Sequence, residues 1–220
     1  MVNLTNLSAV RFSGADAGSF LHGQLSADAL GLSTGGATFA CYCEPKGRVL
    51  ALMLVHNADG VYHVIMSTDL ATPVTERLKI YRMRAKVEIE VLTGHSVLGL
   101  DEGDGTGRVP ELSLPLPRSN RRLVVSSAHM SADAQESLQQ AWKFAELQMG
   151  ICWLSAATSA QFLPQMLGFM QLGAVNYRKG CYPGQEIVAR THYLGKLKRH
   201  PRLLDCRLPA CPRPMDRIDI

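Results

Sequence analysis

The densest concentration of reactive side chains lies between Asn176 and Arg190, in the run Asn-Tyr-Arg-Lys-Gly-Cys-Tyr-Pro-Gly-Gln-Glu-Ile-Val-Ala-Arg. Cys181 brings a thiol that becomes a nucleophile and a redox group once it loses its proton. Lys179 sets an ammonium two residues earlier, and a neighbouring cation and a nearby helix start both favour the thiolate. Gln185 and Glu186 add an amide and a carboxylate able to read a polar ligand, with the ring of Tyr182 beside them. Gly180 and the Pro183-Gly184 pair mark a tight turn. Proline presets the second position of a type II turn, and glycine accepts the positive φ of the third. Beyond it, Glu186 to Arg190 opens a helix with an acid in its first turn, so that backbone N–H groups face whatever the loop holds. The competing reading is a surface turn with an incidental cysteine. The company of Lys, Gln and Glu around that cysteine favours chemistry.

The charge of the chain is concentrated in the same place. The formal net charge is +4, yet residues 178–202 hold seven basic side chains (Arg178, Lys179, Arg190, Lys196, Lys198, Arg199, Arg202) against Glu186 alone. An anionic ligand, an RNA or an acidic protein face suits such a field. A solvated basic surface strand over Lys196–Arg202 explains it as well.

The elements that must position this loop follow from periodicity. Residues 1–12 alternate weakly as an opening strand, and Asp16–Gln24 forms a short helix that turns Phe20 and Leu21 inward. Thr38–Tyr42 reads as a strand ending at the Glu44-Pro45-Lys46-Gly47 turn. Arg48–Val55 is an apolar run short enough for a buried strand. Asn57–Gly60 makes a hairpin to Val61–Ser67, and Leu70–Tyr81 has the stripe of a helix. Lys86–Val91 alternates with its acids outward, and Ser96–Leu100 and Arg122–Ser126 read as further strands. The Gly/Asp loop at 101–107 and the proline-bearing stretch to Asn120 read as irregular. A helix over Ala132–Gln148, capped by Ser131, places Leu138, Trp142, Ala145 and Met149 on a stripe expected in the core. The pattern predicts an α+β fold with antiparallel sheets and helices on one face.

Composition narrows the function classes. At 220 residues, with 46% hydrophobic and 19% charged residues, the chain has room for a globular core of one large or two small domains. No apolar run reaches the roughly 20 residues of a spanning helix, and the first residues lack signal or transit patterns; a cytoplasmic location is expected. The six cysteines form no Cys-x-x-Cys pair, and Cys41 and Cys43 face one side of a strand as small core residues, so no metal site is expected. No dinucleotide fingerprint or P-loop is present. The seven histidines are scattered and read as structural.

The eight residues Lys179-Gly180-Cys181-Tyr182-Pro183-Gly184-Gln185-Glu186 resemble the signature of the YgfZ-type folate-binding proteins, relatives of the T-protein (aminomethyltransferase) of the glycine cleavage system. The resemblance continues through Ile187-Val188-Ala189-Arg190. It extends back through Gly173-Ala174-Val175-Asn176 and Phe162-Leu163-Pro164-Gln165-Met166. It also takes in Phe20 to Asp28 and Pro45-Lys46-Gly47-Arg48. It implies a T-protein-like fold of two interleaved α/β subdomains around a channel, one from about 1–45 with 130–192 and the other about 46–129, followed by a C-terminal β-barrel. Only 20 residues follow His200, with Pro209, Pro212 and Pro214 among them. The expectation is a barrel reduced to a remnant over 193–220.

What the resemblance implies is a tetrahydrofolate-binding accessory protein supporting iron–sulfur cluster assembly or repair in client enzymes, tRNA-modifying ones included. Cys181 and Lys179 are then the catalytic candidates, with Lys179 activating the thiol or holding a carboxylate. Tyr177, Lys179, Gly180, Tyr182, Gln185, Glu186 and Arg190 are the cofactor-binding candidates. The expected partners are the folate and the iron–sulfur clients, with no membrane and no direct stable nucleic-acid binding. The first alternative is a folate-dependent aminomethyltransferase, against which stands the T-protein pattern, lacking the cysteine and carrying Arg where Gln185 stands. The second is a non-catalytic RNA- or protein-binding module, for which only Tyr177, Tyr182 and Tyr193 lie near the basic stretch.

Overall fold

A computed structural model describes residues 1–101, 112–127, 136–204 and 215. Two antiparallel sheets carry the fold. The larger holds β2 (Leu7–Ser13), β3 (Ala37–Cys43), β4 (Val49–Ala58), β5 (Val61–Ser67) and β6 (Glu88–Val91), in the order β3-β4-β5-β2-β6. The smaller holds β1 (Val2–Asn3), β7 (Ser96–Asp101), β8 (Ser113–Pro115) and β9 (Arg121–Ser126), in the order β1-β7-β9-β8. Among the described residues, neither sheet closes on itself. Four α-helices are described: α1 (Ala17–Gln24), α2 (Thr68–Ile80), α3 (Glu136–Gln148) and α4 (Gln185–Leu194).

The strand pattern follows from where each lies. β4 has partners on both sides and is buried from Ala51 through Asn57, which is why its residues to Val55 read as a continuous apolar run instead of an alternating one. β6 is an edge strand, with Ile89 inward and Glu88 and Glu90 outward. The β4–β5 hairpin turns at Asp59-Gly60, both at positive φ, and the Gly60 N–H donates to Asn57 Oδ1 at 2.8 Å. Asp16 stands at the start of α1 but does not cap it with its side chain; Asp16 Oδ2 accepts instead from the Lys86 N–H at 2.7 Å, tying the helix entry to β6. α2 lays Leu70, Ala71, Val74 and Leu78 against the larger sheet.

Three expectations change. The single opening strand over residues 1–12 is two strands, β1 and β2, which belong to different sheets. The short strand β8 lies where an irregular stretch was expected. In α3 only Trp142 and Glu146 are buried, whereas Leu138 of the supposed core stripe is half exposed. This helix meets the smaller sheet at β1 and through Trp142, which lies over Gly99 of β7 and against Arg121 of β9, so the sheet covers the middle of the stripe and leaves Leu138 open. The Gly/Asp loop and the Ser131 cap lie outside the described residues. Cys41 and Cys43 are fully buried on β3, as their spacing suggested.

Candidate functional site

The signature loop is held by main-chain partners. Asn176 donates its N–H to Ser26 O at 2.8 Å, and Asn176 Oδ1 accepts from the N–H groups of Arg178 and Lys179 at 2.8 and 3.2 Å. An asparagine bonded to its own following backbone forms a compact turn, which starts the loop. The Ser26 hydroxyl is fully buried, donates to Ala174 O at 2.5 Å and accepts from the Cys41 N–H at 2.8 Å. One hydroxyl thus ties the segment after α1, the strand β3 and the approach to the loop together.

Tyr182-Pro183-Gly184-Gln185 is the type II turn the sequence predicts. The Gln185 N–H donates to Tyr182 O at 3.2 Å, and Gly184 sits at φ 82° and ψ 0°. Gly184 also lies against the 44–47 turn: a Cβ there would fall 2.4 Å from Glu44 O and 2.7 Å from Gly47 Cα. Helix α4 starts at once after the turn, one residue earlier than expected, and runs on to Leu194. Its first turn, the Pro45 ring and the exposed Cys181 enclose an open cavity of about 550 Å³. That volume lies in the range of small-molecule sites.

Of the candidate residues, Cys181, Tyr182, Gln185 and Glu186 line this cavity, together with Pro45, Gly184, Ile187 and Ala189. The others lie around it. Lys179 points into the protein: its Nζ donates to the carbonyls of His22 and Leu25, the latter at 2.6 Å, at the C-terminal end of α1. A cation there meets the negative end of the helix dipole. The ammonium also lies 5.2 Å from the centre of the Tyr182 ring. Burial lowers the Lys179 pKa to about 8, opposed by the charges of Asp28 and of a Cys181 thiolate. With two of its protons committed to carbonyls, Lys179 acts first as a clamp between α1 and the loop. Gly180 faces His22, whose Nε2 would lie 3.6 Å from a Cβ at that glycine. Tyr177 stacks on His192 with ring centres 4.1 Å apart, farther along α4, and Arg190 is exposed on that helix.

Among the described residues, several buried polar atoms of this region have no hydrogen-bond partner. The hydroxyl of the buried Tyr182 and the Oε1 atoms of Gln165 and Gln24 are buried and unbonded. Burial holds the Tyr182 phenol well above its usual pKa. Gln165 donates to Val188 O at 2.7 Å, which fixes α4 from below.

Sequence reasoning passed over one feature. His22 Nδ1 lies 3.0 Å from Asp28 Oδ1, close enough for an ion pair with the imidazolium but without hydrogen-bond alignment. Asp28 Oδ1 also accepts from the Gly31 N–H at 2.9 Å. The six-residue separation of the two crosses the end of a helix, so no periodicity could have flagged it.

Three stretches far apart in sequence therefore meet: Phe20–Asp28, the turn at 44–47, and the loop itself. No protein-family model matches the chain. It is 27% identical over 223 residues to the tRNA-modifying protein YgfZ of Vibrio atlanticus, covering 93% of this chain and 69% of that one. It is 25% identical over 225 residues to the protein of the same name in Colwellia psychrerythraea. The chain is thus similar to several YgfZ proteins over most of its length. An uncharacterized protein of Haemophilus influenzae is 29% identical over 201 residues, which are 90% of this chain and 70% of that protein. The crystal structure of the glycine cleavage system aminomethyltransferase T of Bartonella henselae superposes with a TM-score of 0.64 over 87% of this chain at 12% identity. The fold is thus that of the T-protein, as the YgfZ resemblance implied, and the chain spans 62% of the length of that structure. Among the described residues, no helix is long and apolar enough to cross a membrane, and no group of three or more His, Cys, Asp or Glu is arranged to hold a metal ion.

Proposed function

We propose that the chain is a tetrahydrofolate-binding accessory protein that supports iron–sulfur cluster assembly or repair in client enzymes, tRNA-modifying enzymes among them. The observation that carries the reading is the placement of an exposed Cys181 at the mouth of a 550 Å³ cavity that opens at the start of α4. The tRNA-modifying name of the relatives and the aminomethyltransferase fold support it. The donor set suits a reduced pterin. Pro45 and Ile187 offer apolar surface to a flat ring, while the Glu186 carboxylate and the Gln185 amide accept from and donate to its polar edge. Tetrahydrofolate, when bound, supplies nitrogens that carry one-carbon units. The chain's own residues orient the ligand, present the Cys181 sulfur to it, and hold the loop through Lys179. A folate-dependent aminomethyl transfer is the second reading, favoured by the fold likeness alone.

Calorimetric titration with tetrahydrofolate tests the reading. Saturable binding is expected, weakened about tenfold in Glu186→Gln and Gln185→Ala, the loss of one hydrogen bond to a charged or polar group. Lys179→Ala is a poor control, since it frees carbonyls of α1. Absence of saturable binding, or binding indifferent to both substitutions, overturns the folate site. For the iron–sulfur role, Cys181→Ser in cells should abolish client-enzyme activity with the fold intact; unchanged activity removes the working thiol.

A further inference from the structure

The C-terminal end of α4 and the segment after it form a surface outside the cavity lining, and it includes Tyr177 and Arg190, which the family resemblance had offered to the folate. The Tyr177 and His192 rings stack at 4.1 Å and 14°, and Tyr193 meets both edge-on, at 5.8 and 4.8 Å. Tyr193 is 67% exposed. Arg190 lies three residues before Tyr193 on one helix face, and Arg178 follows Tyr177 directly. Lys196, Lys198, Arg199 and Arg202 continue from the helix end, all exposed. Among the described residues, none of these six cations is paired with a carboxylate. The seventh cation of the stretch, Lys179, is spent on α1. The segment is fixed at both ends. It leaves α4 at Gly195, and Pro201 packs against Gly168, where its Cγ would be 3.1 Å from a Cβ.

We propose that this surface docks an unpaired nucleic-acid strand. Exposed cations without a carboxylate partner attract phosphates, and an exposed aromatic ring braced by two others offers a base a face to stack on. An acidic peptide would use the cations but leave the rings idle. The sequence shows the tyrosines only as scattered; the fold brings Tyr177 and Tyr193 together and adds His192. From Gly195 to Pro201 the chain spans at most about 25 Å, which suits a short strand of about four nucleotides. The binding expected is salt-sensitive and weak, not a stable complex.

Fluorescence anisotropy of the full chain with a labelled unstructured RNA 12-mer tests this, beside a DNA 12-mer of the same sequence, a duplex, and polyaspartate. Neutralising about four phosphates gives a slope near −2.8 on log–log axes, so affinity should fall about 50-fold between 50 and 200 mM salt. Tyr193→Ala should weaken binding about tenfold at all salt concentrations, and Lys198→Glu with Arg199→Glu should weaken it at least as much and flatten the salt slope. All three side chains are exposed, and an unchanged thermal transition verifies the fold. RNA binding above DNA binding, or equal binding of both, supports the proposal and separates the two strands as ligands. No saturable RNA binding at 50 mM salt overturns it, as does duplex or polyaspartate binding tighter than the single strand, or indifference to Tyr193→Ala.

Discussion

Replacing Gly184 by alanine probes whether backbone contact, and not side-chain chemistry, seats the cysteine loop. Two costs add at that position. A non-glycine residue at φ 82° takes on left-handed strain of about 1–2 kcal/mol. The new methyl would also lie 2.4 Å from Glu44 O and 2.8 Å from Gly47 N, atoms of the main chain that cannot rotate away. Overpacking of this kind costs about 1–3 kcal/mol, for a total of about 2–5 kcal/mol. Gly173 separates the two effects, since it has φ 71° but nothing within 4 Å of the added methyl, and should cost about 1–2 kcal/mol. Gly47→Ala falls between them, because at φ 76° its methyl meets Ile187 Cβ at 3.1 Å and Gly184 O at 3.3 Å, tight contacts but longer than those at Gly184. Urea unfolding of the three variants measures the series, and for a chain of this size the Gly184 variant should melt about 10 °C lower. If Gly184→Ala costs no more than Gly173→Ala, the contact with the 44–47 turn is loose and the account of how Cys181 is held is wrong.

Two further outcomes follow from burial. Cys41, pushed up to about 12 by desolvation and carried on a buried strand, should alkylate at pH 7 at least about 100-fold more slowly than exposed Cys181; comparable rates by mass spectrometry would mean that β3 opens readily or that Cys181 is shielded. His63 stands opposite His56 across β4 and β5, and its pKa is lowered to about 4 by burial, with His56 and Arg11 adding to it. Between about pH 4 and 6.5 the unfolded chain then holds more protons than the folded one, so stability rises with pH across that window and is lost on acidification. Between pH 7 and 5 this costs about 1 kcal/mol after allowance for the partial exposure of the ring. His63→Gln should lose that much less in urea midpoints taken at the two pH values; an identical loss assigns the acid sensitivity elsewhere.

Much of the frame was legible because the burial of each strand is written in its own period. The β4 run, the Asp59-Gly60 turn, the clean alternation of β6 and the Pro183-Gly184 turn are all local signals, and the structure follows each. The α3 stripe misled because periodicity reports which residues share a face, not whether a surface waits to cover them. At the site, the loop and its composition were plain, but the direction of Lys179 was not. Its partners are carbonyls of residues 22 and 25, more than 150 positions away, and a carbonyl has no residue type to read. The same holds for the buried Ser26 hydroxyl, which looks in sequence like one more loop serine.

That separation in sequence bears on when the cysteine loop comes into being during synthesis. Leu25 and Lys179 are 154 residues apart, so at a translation rate of about 5–20 residues per second the carbonyl waits on the order of ten seconds or more for its ammonium. The strands β2 to β6 lie within the first 91 residues and can pair in that interval. The thiol gains its setting only after the rest of the molecule has closed, so a nascent or cleaved chain would carry the sheet without the organised cysteine. Contacts of such long sequence separation form late and slowly; the candidate site is therefore a built-in sign that the chain's two distant halves have met.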